Sequence, residues 1–314
     1  MAELNQITDT VLMVRPARFG FNEETAASNA FQQKADTKSA VEIEEQAKVE
    51  FDRFVDVLRN VGVHVLVMSD TSEPHKPDAV FPNNWVSFHE SGQIVLYPMF
   101  AQQRRLERRH DWLQQLRETY QFAQTESLVE YETESLFLEG TGALVLDRPN
   151  RIAYACLSNR AHPEVLAAFA QRMDYQVISF SAADQAGLPI YHTNVILAVG
   201  ESFVLICWDT ISNDLEKEVM RSTFARTHKD VIALSFKQIT AFAGNMLQVR
   251  SRSGTPILVM SQQAFQALNP DQLAQISTHT KIVHSPIPTI ERLGGGSARC
   301  MMAEVFYPGM GSIL

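Results

Sequence analysis

Cysteine is scarce: Cys156, Cys207 and Cys300 are the only three in 314 residues. Their number is odd and their spacing wide, so neither a disulfide framework nor a zinc ribbon fits, and at least one thiol stays free. Basic residues are also in deficit, with 27 Lys and Arg against 36 Asp and Glu and a formal charge of -9. Phosphate backbones and anionic membranes call for a Lys/Arg surplus, so nucleic acid and membrane are poor partners and a small molecule fits better. No apolar run approaches the roughly 20 residues of a membrane span. The opening Met1-Ala-Glu-Leu-Asn-Gln6 carries an acid where a signal peptide carries bases, and the expected location is cytoplasmic. Linkers are lacking too: there is no Pro/Ser/Gly-rich or low-complexity tract. With 45% hydrophobic and 20% charged residues, the chain reads as one globular unit over 1–314 that buries a sizeable core.

What is present has a repeating grammar. Ala47, Phe51, Phe54, Val55 and Leu58 recur at helical spacing and predict a helix from about Val41 to Asn60, stopped by Gly62 and followed by a strand over Val63 to Met68. Val80 to Tyr97 reads as two strands turning at Glu90-Ser-Gly92. A helix over Arg104 to Tyr120 precedes a hairpin over Gly142 to Leu157, and a helix over Pro163 to Met173 precedes strands at Val177 to Phe180, Val195 to Val199 and Phe203 to Trp208. A helix over Asp214 to Thr227 leads to a strand over Val231 to Phe236 and a hairpin over Met246 to Met260. The loop entries Phe81-Pro-Asn-Asn, Phe137-Leu-Glu-Gly, Tyr191-His-Thr-Asn and Phe242-Ala-Gly-Asn lie roughly 50 to 56 residues apart, a repeat period. Gly294 to Cys300 supplies a fifth. Units of strand, strand, helix, strand around a pseudo-fivefold axis would bring all five entries to one end.

Three of those entries carry reactive residue types. In Glu291-Arg-Leu-Gly-Gly-Gly-Ser-Ala-Arg-Cys300, glycines let backbone N–H groups crowd a ligand. The adjacent Arg299 is expected to favour thiolate over thiol at Cys300. His192 stands where a loop enters a strand, a place for a general acid/base, and Glu139, flanked by glycines, holds the same place one unit earlier. Cys156 and Cys207 sit in strand contexts and read as buried and inert.

Phe137-Leu-Glu-Gly-Thr-Gly142, Tyr191-His-Thr-Asn194 and Gly294-Gly-Gly-Ser-Ala-Arg-Cys-Met301, in that order, resemble the Glu, His and Cys motifs of the guanidino-modifying (pentein) superfamily: arginine deiminases, dimethylarginine hydrolases and amidinotransferases. The likeness runs from Arg15-Pro-Ala-Arg-Phe-Gly20 to Cys300, and Phe81-Pro-Asn-Asn-Trp85 is similar to a signature of deiminase-like citrulline-utilisation hydrolases. The resemblance implies a five-bladed α/β propeller and covalent catalysis without metal or organic cofactor. Cys300 would attack a planar guanidino or ureido carbon, His192 would protonate the leaving amine and then activate water, and Glu139 would hold His192 or a substrate nitrogen. Arg160, Arg104 or Arg105 resemble the clamp for a substrate α-carboxylate and Asp78 the acid that holds its α-amino group, with Phe81, Arg15 and Arg299 counted among the binding residues. The partner is then an amino-acid-like small molecule, and a homodimer is compatible with the pattern.

Two positions depart from the deiminase pattern. Guanidinium-binding members place aspartates where this chain has Asn84 and Asn194. A carboxylate only accepts and suits a cation that only donates, whereas an amide does both and suits a neutral ureido group with a carbonyl to satisfy. The expected substrate is therefore citrulline or a related ureido compound. The rivals are a guanidino substrate handled by a deiminase, dimethylarginine hydrolase or amidinotransferase, and a non-catalytic binding protein on the same fold.

Overall fold

The computed structural model of the protein describes residues 4–26, 29, 31–34 and 39–310. Apolar stripes and caps account for its outer helices. In Ala40–Asn60, Ser39 and Glu42 form a reciprocal capping box, and Ile43, Ala47, Phe51, Phe54, Val55 and Leu58 are buried along one face. Fully burying one of its large apolar side chains contributes about 1.5 to 3 kcal/mol.

The strands form five three-stranded sheets of one design. In each, a middle strand pairs antiparallel with an inner strand and parallel with an outer one. Val86–His89, Gln93–Leu96 and Gln124–Ser127 form one sheet, and Leu144–Asp147, Ile152–Cys156 and Gln176–Phe180 the next. Leu197–Val199, Phe203–Ile206 and Asp230–Ala233 follow, then Leu247–Arg250, Pro256–Ser261 and Lys281–Ser285. The last sheet joins the two ends of the chain: Thr10–Arg15 lies in the middle, parallel to His64–Ser69 and antiparallel to Ala303–Glu304. A parallel pair needs a crossover. Ala40–Asn60, His110–Tyr120, Pro163–Met173, Asp214–Arg226 and Pro270–Ser277 each lie within one. The expected mixed α/β propeller is therefore present.

Two predicted elements end differently. The single helix expected over Arg104 to Tyr120 is two, Gln102–Arg105 and His110–Tyr120. At the break Arg104, in the first helix, and Glu107, just after it, turn inward as a buried ion pair, Nε to Oε1 2.8 Å, and Arg109 is extended at φ -108 and ψ 95. The strand expected over Val231 to Phe236 stops at Ala233, because Ser235 and Gln238 form a capping box that starts a short helix at Phe236.

Candidate active site

The five loop entries meet at one end of the axis. Counting back from the first residue of each inner strand, the residue two places earlier is Asn84, Gly142 or Asn245, and three places earlier Asn194 or Cys300. The repeat thus presents three amides, a glycine and a thiol at corresponding positions.

Glu139 and His192 come from neighbouring loops. His192 Nε2 lies 2.8 Å from Glu139 Oε2. That carboxylate is fully engaged: its Oε2 also takes Arg160 Nη1 at 3.3 Å and lies 4.0 Å from Arg104 Nη1, while Oε1 accepts the Phe100 N–H at 3.1 Å. Burial opposes its charge, but Arg160, His192 and Arg104 outweigh burial and hold Glu139 well below the usual carboxylate range. Burial pushes the His192 imidazole down to about 4 against the pull of Glu139. The carboxylate can only accept, so the neutral ring carries its proton on Nε2 and keeps Nδ1 as a base. Tyr191 packs its ring 4.7 Å from His192 and donates its hydroxyl to Gly295 O at 2.7 Å, tying the histidine loop to the cysteine loop.

Cys300 is 5% exposed and accepts two amide N–H groups, from Asn245 Nδ2 at 3.3 Å and Asn194 Nδ2 at 3.5 Å. Its loop follows the helix Pro288–Gly294, whose first N–H groups, on Thr289 and Ile290, donate to the Glu50 carboxylate at 3.0 and 3.1 Å. The ring of Phe81 lies 2.7 Å from where a Cβ on Gly294 would stand, so only glycine lets the two loops meet there.

The cavity in front of Cys300 is lined by His192, Asn84, Asp78, Arg104, Arg160 and Phe81, with Tyr191, Thr25, Asn29 and the three glycines also in the wall. Asp78 Oδ2 accepts from Asn22 at 2.8 Å, and Oδ1 has no partner among the described residues. Burial raises this carboxyl despite Arg104, so the pocket has a buried acid suited to an ammonium group. Asn84 Oδ1 accepts from Arg104 Nη1 at 2.7 Å, and Arg104 is otherwise held by Glu107 and Phe81 O.

Three expected binding residues lie elsewhere. Arg15 is at the end of its strand in a surface pair with Asp52, 2.8 Å. Arg105 donates to Met99 O at 3.0 Å and pairs with Glu132. Arg299 turns its guanidinium away from the thiol, to Glu304 at 2.6 Å and Met302 O at 2.8 Å. No guanidinium of this arginine meets the sulfur, and the amides take that place. Asn245 is the residue that sequence reading passes over, although its repeat position carries the signal.

Gly142 leaves the space that Asn84 and His192 share. A Cβ there would collide with Asn84 Nδ2 and stand 2.8 Å from His192 Nδ1. Gly142→Ala is expected to lower kcat/KM by roughly tenfold to a hundredfold by displacing the imidazole; steady-state kinetics beside a thermal melt separate this from loss of fold.

The family described as N,N dimethylarginine dimethylhydrolase, eukaryotic, matches residues 15–307. The chain belongs to this family. It is thereby a member of the guanidino-modifying superfamily. No curated protein matches the sequence. Among solved structures, ArgZ, an arginine dihydrolase from the ornithine-ammonia cycle in Cyanobacteria, is similar in its apo form at 17% identity and TM-score 0.73, covering 95% of this chain and 41% of its own. This chain therefore spans about two fifths of that protein. The product-bound N-terminal domain of ArgZ gives 18% identity and TM-score 0.73 over 95% of this chain and 98% of that one. A dimethylarginine dimethylaminohydrolase variant held as an adduct with S-methyl-L-thiocitrulline gives 14% and 0.63, over 95% and 100%. At such identities the likeness is one of fold. No helix among the described residues is long and apolar enough to cross a membrane.

Proposed function

We propose that this protein hydrolyses the ureido group of citrulline, or of a close analogue, to ornithine, carbon dioxide and ammonia through a covalent adduct on Cys300. The observation that carries this is the polarity around the reacting centre. The loop positions beside the nucleophile hold amides, Asn84, Asn194 and Asn245, and the carboxylate from these loops, Glu139, is already paired with Arg160 and Arg104 and bonded to His192, while the other buried acid, Asp78, is left for an ammonium group. A guanidinium at the thiol would meet amides and a carboxylate already committed to two arginines, while a neutral ureido group needs donors and acceptors together, which amides supply.

The free Oδ1 of Asp78 holds the α-ammonium and Arg160 the α-carboxylate. Neutral His192 takes the thiol proton as sulfur attacks the ureido carbon and returns it to the departing nitrogen as the carbon–nitrogen bond breaks. Water, deprotonated by His192, then cleaves the S-carbamoyl adduct, a thiocarbamate, to a carbamic acid and regenerates the thiol. Loss of carbon dioxide from the carbamic acid completes the balance: citrulline and one water give ornithine, carbon dioxide and ammonia. Residues 1–314 act as one catalytic unit in this reading, supported by the pairing of Thr10–Arg15 with Ala303–Glu304. A cytoplasmic location suits its three free thiols.

The rival is a guanidino amino acid, the class in the names of the family and of ArgZ. Asn84→Asp and Asn194→Asp separate the two. Each replaces an amide by an anion, so the citrulline kcat/KM is expected to fall by roughly tenfold to a few hundredfold, about 1 to 3 kcal/mol, while the arginine value holds or rises. Wild-type preference for arginine, or an unchanged ratio in either variant, sinks the ureido assignment.

A further inference from the structure

In the proposed mechanism Cys300 is the nucleophile, and no cationic side chain among the described residues donates a hydrogen bond to it. Arg299, its neighbour in the chain, is committed to Glu304 and to Met302 O. The negative charge on an attacking sulfur must therefore be met by neutral donors. Of the two amides that reach it, Asn245 is the better fixed. Its Oδ1 accepts the backbone N–H of Arg299 at 3.1 Å, and its Nδ2 donates to Asn194 O at 3.0 Å.

These two bonds settle which way the amide faces. A backbone N–H can be met only by the oxygen and a carbonyl only by the nitrogen, so a flipped amide would lose both. The nitrogen must then be the atom 3.3 Å from Sγ. An N–H aimed at sulfur suits an anionic acceptor, which makes the stronger bond. Asn245 is buried and is held by the residue before Cys300 and by the loop of His192. It therefore transmits the placement of both loops to one sulfur atom.

We propose that Asn245 is a positioning residue for the nucleophile, holding the Cys300 sulfur in its attacking orientation by a donated amide N–H. The inference rests on the reading of Cys300 as the nucleophile and on nothing about the substrate. The repeat supports it: Asn245, Asn194 and Cys300 occupy corresponding loop positions, so the fold brings two amides beside the thiol without special contortion of either loop.

The test compares Asn245→Ala and Asn245→Asp with wild type by three measurements: turnover, the rate of Cys300 alkylation by iodoacetamide at one pH, and thermal melting. Asn245→Asp keeps an oxygen for the Arg299 N–H but presents the sulfur with an anion in place of a donor. The expected result is a fall in kcat of roughly tenfold to a hundredfold in Asn245→Ala, a larger fall in Asn245→Asp, KM within about threefold, and alkylation slowed in parallel. A merely structural asparagine would lower the melting temperature and leave alkylation of the folded protein at the wild-type rate. That outcome, or wild-type kcat in a folded Asn245→Asp protein, overturns the proposal. Should Asn245→Ala fail to fold, the aspartate variant decides alone. Alkylation involves no substrate, so an error in the ureido assignment leaves the expectation standing. If Cys300→Ala retains turnover, the nucleophile reading itself has failed.

Discussion

Cys300→Ala is expected to lower kcat by more than about a thousandfold, while Cys156→Ala and Cys207→Ala keep turnover within a few-fold of wild type. The difference lies in surroundings. Cys300 opens on the cavity beside His192. Cys156 is packed in the core with its thiol directed at Ile190 O, 3.0 Å away, and burial alone pushes it up to about 12. Cys207, pushed up by burial to about 11, is likewise a core residue. Truncating either removes one small buried group, a stability loss of about 1 to 2 kcal/mol. Rates normalised to folded protein, with free-thiol titration of each variant, give the comparison. Turnover of more than a few per cent in the Cys300 variant refutes the covalent mechanism.

Glu139→Gln should be nearly as damaging to kcat and far more damaging to stability. The amide can still accept from His192 Nε2, so the ring has a partner, but the imidazolium formed during the reaction then lacks its counter-charge. A fall of roughly 10² to 10⁴ in kcat is expected by analogy with triad carboxylates. Arg160 and Arg104 meanwhile lose the carboxylate that faces both. Breaking a buried ion pair costs about 3 to 5 kcal/mol when a charge is left uncompensated; Arg104 retains Glu107 and Arg160 stays over the Tyr191 ring, so the loss falls toward the low end. Denaturant unfolding measures the second effect and single-turnover kinetics the first. A variant with normal stability would show that these arginines are compensated elsewhere.

Much of the architecture is legible in the sequence because its repeats are written in local terms. Pro163–Met173 starts at a proline and buries Val165, Leu166, Phe169 and Met173 at helical spacing, and its bounds match the prediction. Gln124–Ser127 shows the opposite: four polar, largely exposed residues form a strand only because Gln93–Leu96 offers them a parallel ladder. Pattern along the chain carries no record of such pairing. The same division runs through the site. Glu139, His192 and Cys300 stand out by their place in three of the five loop entries, and so could Asn245. The direction of the Arg299 side chain does not, since it is fixed by Glu304 on the closing strand and by a carbonyl in the turn. Arg15 has a motif around it in sequence but in space it is paired with Asp52 at the surface.

The sheet that joins the chain's two ends has a bearing on how the protein comes to life during synthesis. Ala303–Glu304 begins three residues after Cys300 and is one of the two ladders of Thr10–Arg15. A ribosome working from the amino end produces Glu139 and His192 long before the thiol. Throughout that interval one edge of Thr10–Arg15 waits unpaired. The final strand closes that edge only once Cys300 has been made, so, under the proposed mechanism, a nascent or prematurely terminated chain carries acid and base but lacks its nucleophile.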